Sequence, residues 1–390
     1  MTFSANPLVT AVEAPPIAEA LSWLETDRFG PETPLIDVSQ AVPGYNQDPG
    51  LAAHIAECAQ IPGTAIYTDI EGKPNLRAAL AAEMSGVYGG EVTASHILIS
   101  AGCNQAFFLS LAGLAKAGDE VVMAAPWYFN HKMTADMLGI GVIPLPCRDE
   151  QAQIPDPDEA ARLLTTKTKA IVLVSPNNPT GAIYPADVLD RFFQLAQANN
   201  IALIVDETYR DFLPSDYGRP HDLFQRPDWD GTLVHLYSFS KVFCMTGYRA
   251  GAIATGPAFI AEIAKLMDCL AICAPHISQR GALWGIEHLN GWRQEKRALM
   301  AERVAAFEAA IGNGGAGFEI ASIGAYFAYL RHPFEGEPAA TVAKRLAKTQ
   351  NLLCLPGTMF GPGQDRMLRF AFANVESARM AEIVQRLGQL

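Results

Sequence analysis

Short apolar runs rich in β-branched residues recur along this chain, with longer amphipathic segments between them. That alternation is the strongest constraint on the fold. The runs are Ile97–Ser100, Glu120–Ala124, Ala170–Ser175, Ala202–Asp206, Leu233–Ser238 and Gly251–Thr255, and Gln105–Lys116 and Ala186–Ala198 between them show helical spacing. Strands that are apolar throughout and separated by helices predict a parallel sheet covered on both faces, which is α/β architecture. A long helical stretch follows over Pro257–Leu289 and on through Trp292–Ala310. After it come shorter strands and helices, among them Tyr326–Leu330, Thr341–Thr349 and Met367–Ala373. The change of pattern marks a smaller C-terminal domain. The first 40 residues are Pro-rich and irregular, with one helix expected around Ile17–Glu25. The expected division is an N-terminal segment (1–45) packed on the small domain, a large domain (46–285) and a small C-terminal domain (286–390).

The 390 residues exceed what one small core organises. With 49% apolar and 18% charged residues, the composition is that of a soluble globular protein. A formal charge of −12 argues against nucleic acid or an anionic membrane as the main partner, because both need a basic face. Seven scattered cysteines form no CxxC pair and no zinc-spaced cluster with histidine. Cys269 and Cys273 read as two thiols on one helix face rather than a metal pair. Free thiols in this number suit a reducing compartment. The first basic residue is Arg28 and Glu13 interrupts the N-terminus, which is not the pattern of a secretory signal. No apolar run approaches the roughly 18 residues of a bilayer span. A cytoplasmic protein is expected.

Each residue of chemical interest follows an apolar run, and open α/β sheets bind ligands beyond the carboxyl ends of their strands. Ile97–Ser100 leads into Ala101-Gly102-Cys103-Asn104 and a helix. A glycine there frees helix N-terminal N–H groups for a phosphate, or makes an ordinary tight turn. Pro176-Asn177-Asn178-Pro179-Thr180-Gly181 is explained by turn chemistry alone. Asp206, ending a buried strand, is costly unless paired, or else caps a helix. Lys241 follows another buried strand. It either snorkels to water or is a desolvated amine suited to imine formation. Arg249 near a phosphate site is a bidentate anchor. Taken together, a lysine, an acid and phosphate donors at successive strand ends are the set that pyridoxal phosphate (PLP) needs.

The order of Ser-Pro-Asn-Asn-Pro-Thr-Gly at 175–181, Asp-Glu-Thr-Tyr at 206–209 and Ser-Phe-Ser-Lys…Gly-Tyr-Arg at 238–249 resembles the class I/II aminotransferases of the fold-type I PLP enzymes, over roughly residues 35–385. The resemblance implies a mostly parallel central sheet between helices, with a smaller α/β domain built from both termini. It also implies Lys241 as Schiff-base lysine and general base, and Asp206 at the pyridine nitrogen. Asn178 and Tyr209 would lie on the ring's phenolic oxygen. Tyr128 would stack on the ring, with Trp127 as the alternative one residue away. The phosphate would be held by the turn at Gly102, the N–H groups of Cys103 and Asn104, the hydroxyls of Ser238 and Ser240, and Arg249. Tyr67 would reach the neighbouring subunit's phosphate, which implies a homodimer with shared sites. Arg369, in Met367-Leu368-Arg369-Phe370, would grip the substrate α-carboxylate; a structural ion pair is the other reading. One departure stands out. The family often has Gly-x-Pro in the loop at the domain junction, and here it is Ala41-Val42-Pro43. The methyl at residue 41 bears on how that loop meets the substrate.

The implied activity moves an amino group between an L-amino acid and a 2-oxo acid in ping-pong order. The same constellation also serves PLP-dependent C–S lyases and related enzymes, and some regulators use such a domain as a non-catalytic sensor. No metal is called for. The sequence names neither donor nor acceptor. Gly324-Ala325-Tyr326-Phe327 either approaches the substrate or belongs to the core.

Overall fold

A computed structural model describes residues 3–25 and 28–390. Thirteen strands are present among these residues. In chain order β1 is Ile36–Asp37, β2 Ile97–Ser100, β3 Glu120–Ala125, β4 Gly141–Pro146, β5 Thr168–Val174, β6 Ala202–Asp206 and β7 Leu233–Ser238. They continue with β8 Gly251–Ala254, β9 Glu319–Gly324, β10 Phe327–Arg331, β11 Leu352–Leu353, β12 Leu355–Pro356 and β13 Met367–Phe370.

Seven strands form one sheet in the order β2-β8-β7-β6-β5-β3-β4. The pairs from β4 through β3, β5 and β6 to β7 are parallel, whereas β8 runs antiparallel to both β7 and β2. The sheet is therefore mostly parallel, not wholly so. The reason is the link between β7 and β8: Phe239–Ala250 holds only short helical turns and no crossover helix. The chain returns beside the strand it has just left, and the pair is antiparallel. Strands β5, β6, β7 and β8 are buried almost throughout, which explains their near-continuous apolar runs. The carboxyl ends of β2, β3, β5, β6 and β7 share one edge of the sheet.

The expected single helical stretch from Pro257 is three helices, Pro257–Ala271, His276–His288 and Asn290–Gly312. The first break lies at Ile272, whose φ of 63° ends the helix, with Pro275 just after it. Cys273 therefore falls beyond the helix that carries Cys269. The two thiols do not share a face, and Cys273 is buried while Cys269 is exposed.

A second sheet, β12-β13-β10-β9, is antiparallel. Its core joins Ala20, Trp23, Ile36 and Val38 from the N-terminal stretch to Phe307, Leu346, Leu368, Phe370 and Leu387. Strand β1 pairs in parallel with β11, matching Ile36 to Leu352. The N-terminal segment is thus sewn to C-terminal elements by backbone hydrogen bonds as well as apolar contacts. A separate, larger core runs from Leu51 to Leu289 around the seven-stranded sheet. Among the described residues, no helix is long and apolar enough to cross a membrane.

Candidate active site

A cavity of about 470 Å³ opens at the shared carboxyl edge of the seven-stranded sheet. Strand ends supply most of its wall: Cys103 and Asn104 after β2, Tyr128 after β3, Asn178 after β5, Asp206, Thr208 and Tyr209 at β6, and Ser238, Ser240 and Lys241 at β7. Arg249 closes one side from the link to β8, Arg369 comes from β13, and Pro15, Ile17, Gln40, Ala41 and Val42 come from the N-terminal stretch. All the expected site residues line this cavity except Gly102 and Tyr67.

Gly102 stands just behind the wall as N-cap of the helix Cys103–Leu114, with φ 88°. A Cβ there would fall 2.1 Å from Arg249 Nη2, so glycine is needed both for the conformation and for the guanidinium to pass. The N–H groups of Cys103 and Asn104 begin that helix and have no intrahelical acceptor. Ser238 accepts a hydrogen bond from the Ser240 N–H at 3.2 Å, and Arg249 donates to the Thr246 carbonyl at 3.0 Å. A helix start, two hydroxyls and a guanidinium thus converge as an anion cradle.

Asp206 is paired. One oxygen accepts from the Thr208 N–H at 3.0 Å and the Thr208 hydroxyl at 2.7 Å; the other lies 3.2 Å from His131 Nε2. Burial alone raises the carboxyl, but His131 and Thr208 outweigh it and the net shift is downward. His131 was not among the residues expected from sequence. It sits in the helix Phe129–Met137 and stacks on Phe107 with ring centroids 3.8 Å apart. Its signal was its place three residues after Tyr128, one turn on, where both rings face the same way.

Lys241 is half-buried, and its ammonium donates to the Ala41 carbonyl. Burial, then Arg249 and Arg369, push its pKa down to about 8. The loop holding Ala41 therefore meets the lysine through its backbone, and the residue-41 methyl does not prevent it. The close backbone approach in that loop lies at Gly44, where a Cβ would be 2.4 Å from Asn374 Cα.

Arg369 is 2% exposed and forms no ion pair among the described residues. It donates to Asn178 Oδ1 at 3.1 Å and to the Ser39 carbonyl, and its guanidinium lies over Phe360 at 4.9 Å and Phe327 at 5.4 Å. Burial lowers its pKa to about 10, leaving it charged at neutral pH. The structural ion-pair reading has no carboxylate to rest on.

Three further expectations divide. Tyr128, not Trp127, lines the cavity; the Trp127 ring lies against Gly361 and its backbone N–H donates to the Phe360 carbonyl. Tyr326 and Phe327 are fully buried and pack with Tyr209, so that segment belongs to the core rather than the cavity wall. Tyr67 is 71% exposed and lies away from the cavity of its own chain.

Residues 34–387 match the sequence model of the family described as aminotransferase class I and II. The chain belongs to that family. An Arabidopsis thaliana protein named aromatic aminotransferase ISS1 is 31% identical over 341 residues, spanning 85% of this chain and 84% of the relative. An aspartate aminotransferase of Pyrococcus horikoshii is 25% identical over 82% of each chain, and a Pseudomonas aeruginosa arginine–pyruvate transaminase is 29% identical over 77% of this chain and 76% of its own. The solved Thermus thermophilus aspartate aminotransferase superposes with a TM-score of 0.90 over 99% of both chains at 23% identity, which shows the shared fold. This is a fold-type I enzyme, an aminotransferase whose cofactor is pyridoxal 5′-phosphate. The cavity fits that group: an anion cradle at one end, a buried carboxylate held ionised, and a neutralisable amine beside them.

Proposed function

We propose that this enzyme moves the amino group of an L-α-amino acid to a 2-oxo acid in two half-reactions run through the one cavity. The observation that carries the reading is the pairing of a low-pKa lysine, Lys241, with a buried carboxylate, Asp206, and an unpaired buried guanidinium, Arg369, around one space.

Bound pyridoxal phosphate supplies an electrophilic carbonyl for amines and an electron sink for the charge left when an α-proton departs. Its phosphate would be held by Arg249, the hydroxyls of Ser238 and Ser240, and the N–H groups of Cys103 and Asn104. Asp206 would keep the ring nitrogen protonated, Tyr128 would cover a ring face, and Asn178 and Tyr209 would hold the ring oxygen. Arg369 binds the substrate α-carboxylate bidentately, and Asn178 Oδ1 holds that fork in plane. Lys241 Nζ takes the proton from the substrate α-carbon. A pKa near 8 makes a useful fraction of the free amine available at neutral pH. The second half-reaction runs the same proton transfers in reverse with the oxo acid.

A homodimer with shared sites fits the surface. Ile61, Ile66 and Tyr67 are exposed apolar residues, and the Ile66 carbonyl meets His276 at 3.0 Å, which places them near exposed Leu270 and Ile272. We assign Tyr67 to the partner's phosphate on that basis. The two cores support a large body over 46–285 and a small one over 286–390 joined by residues 1–45. Seven free cysteines favour a cytoplasmic setting.

The test is a visible spectrum of the purified holoenzyme titrated with single amino acids and no oxo acid. Stoichiometric loss of the bound-cofactor band with release of one oxo acid is expected. A band that persists while ammonia accumulates would make the enzyme a lyase.

A further inference from the structure

Behind the cavity, on the opposite side of β6, lies a second constellation of titratable groups. Glu207 is 2% exposed, and Tyr88, His221 and His235 are fully buried. Two donors converge on the single oxygen Oε2 of Glu207, the Tyr88 hydroxyl and His235 Nε2 at 2.7 Å, and His221 Nε2 lies 3.5 Å from the same oxygen. Tyr88 also lies 3.2 Å from His235 Nε2 and stacks on the His221 ring at 4.6 Å.

The proton count distinguishes this cluster from a metal centre. His221 Nδ1 accepts from the Leu223 N–H at 3.3 Å, so the ring proton of the neutral imidazole sits on Nε2. A carboxylate receiving two donors, with a further imidazole beside it, is stabilised in its ionised form even when buried.

Its position gives the cluster a task. Asp206 and Glu207 are consecutive at the end of an extended strand, so their side chains point to opposite faces. Asp206 is registered against Leu236 of β7, and the Glu207 N–H donates to the Leu236 carbonyl at 2.9 Å. His235 precedes Leu236 on β7, Tyr88 ends the helix Pro74–Tyr88, and His221 comes from the loop before β7. The strand end is thus pinned about its own axis from both sides: by His131 and Thr208 on Asp206, and by the Tyr88 and His235 donors on Glu207.

We propose that Glu207 is a positioning residue for Asp206: clamped by Tyr88 and His235 beside His221, it sets the rotation of the β6 terminus and so the aim of the Asp206 carboxylate into the cavity. This rests on the reading of Asp206 as the partner of the cofactor's ring nitrogen.

The experiment compares wild-type, Glu207→Gln and Tyr88→Phe holoenzymes, the last of which removes only a hydroxyl. Measured on each are PLP dissociation, the pH titration of the bound-cofactor band, kcat, KM and metal content. The expected result is a band titration displaced from wild type in both variants, with PLP held at least fivefold more weakly in Glu207→Gln. kcat should fall at least tenfold in Glu207→Gln, with KM within twofold, and more modestly in Tyr88→Phe. The two changes should be less than additive in the double variant. A lowered melting temperature with band, PLP affinity and kcat unchanged would leave Glu207 a structural residue and overturn the proposal. One equivalent of bound transition metal in the wild type, lost in Glu207→Gln, would overturn it in favour of a metal centre. If the wild type shows no cofactor band at all, the failure lies with the cofactor reading instead.

Discussion

His131 Nε2 lies 3.2 Å from Asp206 Oδ2, and both side chains are almost sealed from solvent. This contact, with Thr208, keeps a buried carboxylate ionised against the pull of its burial. Replacing His131 with Phe retains the stacking on Phe107 and removes the ring nitrogen that faces the carboxylate. Removing the polar partner of a buried charge costs about 1–3 kcal/mol, so PLP should bind roughly five- to a hundredfold more weakly, as read by spectral titration. The pH sign follows from the lowered Asp206. Its contribution to stability is present above the ordinary carboxyl range and is lost as pH falls through the lowered value. In His131→Phe the folded-state carboxyl moves back toward its ordinary range, so less stability should be lost on acidification, visible in melts from acid to neutral pH.

Arg369 should show opposite effects on binding and stability. Its guanidinium is buried over Phe327 and Phe360, with no carboxylate at ion-pair distance among the described residues. Arg369→Met should weaken the substrate α-carboxylate contact by about 2–5 kcal/mol, seen as a large loss in kcat/KM. The same change should raise the melting temperature of the substrate-free enzyme, because a desolvated charge is gone. A variant that loses neither activity nor substrate affinity would remove Arg369 from the site.

Much of this arrangement was legible because buried parallel strands are apolar end to end, so the polar residue that follows each one stands out. Asp206, Ser238 and Lys241 were found that way. Strand β4 was missed for the converse reason. It is an edge strand with Gly141, Pro144 and Pro146, partly exposed, and lacks the apolar signature. The antiparallel course of β8 was hidden because composition does not encode direction; only the lack of a crossover helix does. His131 escaped because a histidine inside an amphipathic helix reads as packing until Asp206 is seen beside it. The clamp on Glu207 joins residues 88, 207, 221 and 235, a juxtaposition made only by the fold.

Lys241 predicts a pH-dependent stability of the cofactor-free chain. Burial and two neighbouring guanidiniums hold it near pKa 8, below its ordinary value. Between those values the unfolded chain binds more protons than the folded one, so this lysine's contribution becomes more favourable as pH rises through that window. Lys241→Met should therefore melt higher than wild type at pH 7 without cofactor, and the gain should shrink as pH passes the ordinary lysine range. Calorimetry of both cofactor-free proteins at several pH values decides this. An equal gain at every pH would assign it to packing rather than charge.

Glu83 links the frame of the site to the long helix Asn290–Gly312. Its carboxylate accepts from Arg210 Nη2 and Arg293 Nη2, each at 2.6 Å, and Arg210 lies over the Tyr237 ring at 4.3 Å. Arg210 follows Tyr209, and Tyr237 precedes Ser238, so both flank residues of the cavity wall. Tyr237 also donates to Asp211 at 2.8 Å, the second carboxylate beside these arginines. Glu83→Gln leaves two largely buried guanidiniums sharing Asp211 alone. Breaking a buried ion pair by neutralising one member costs about 3–5 kcal/mol, so denaturant unfolding should show a loss of that order with an unchanged m-value. Since no atom of Glu83 lines the cavity, KM for the amino acid should stay within about twofold in the folded variant, roughly 0.4 kcal/mol. A large rise in KM would mean that the network sets the substrate pocket as well as the stability of its frame.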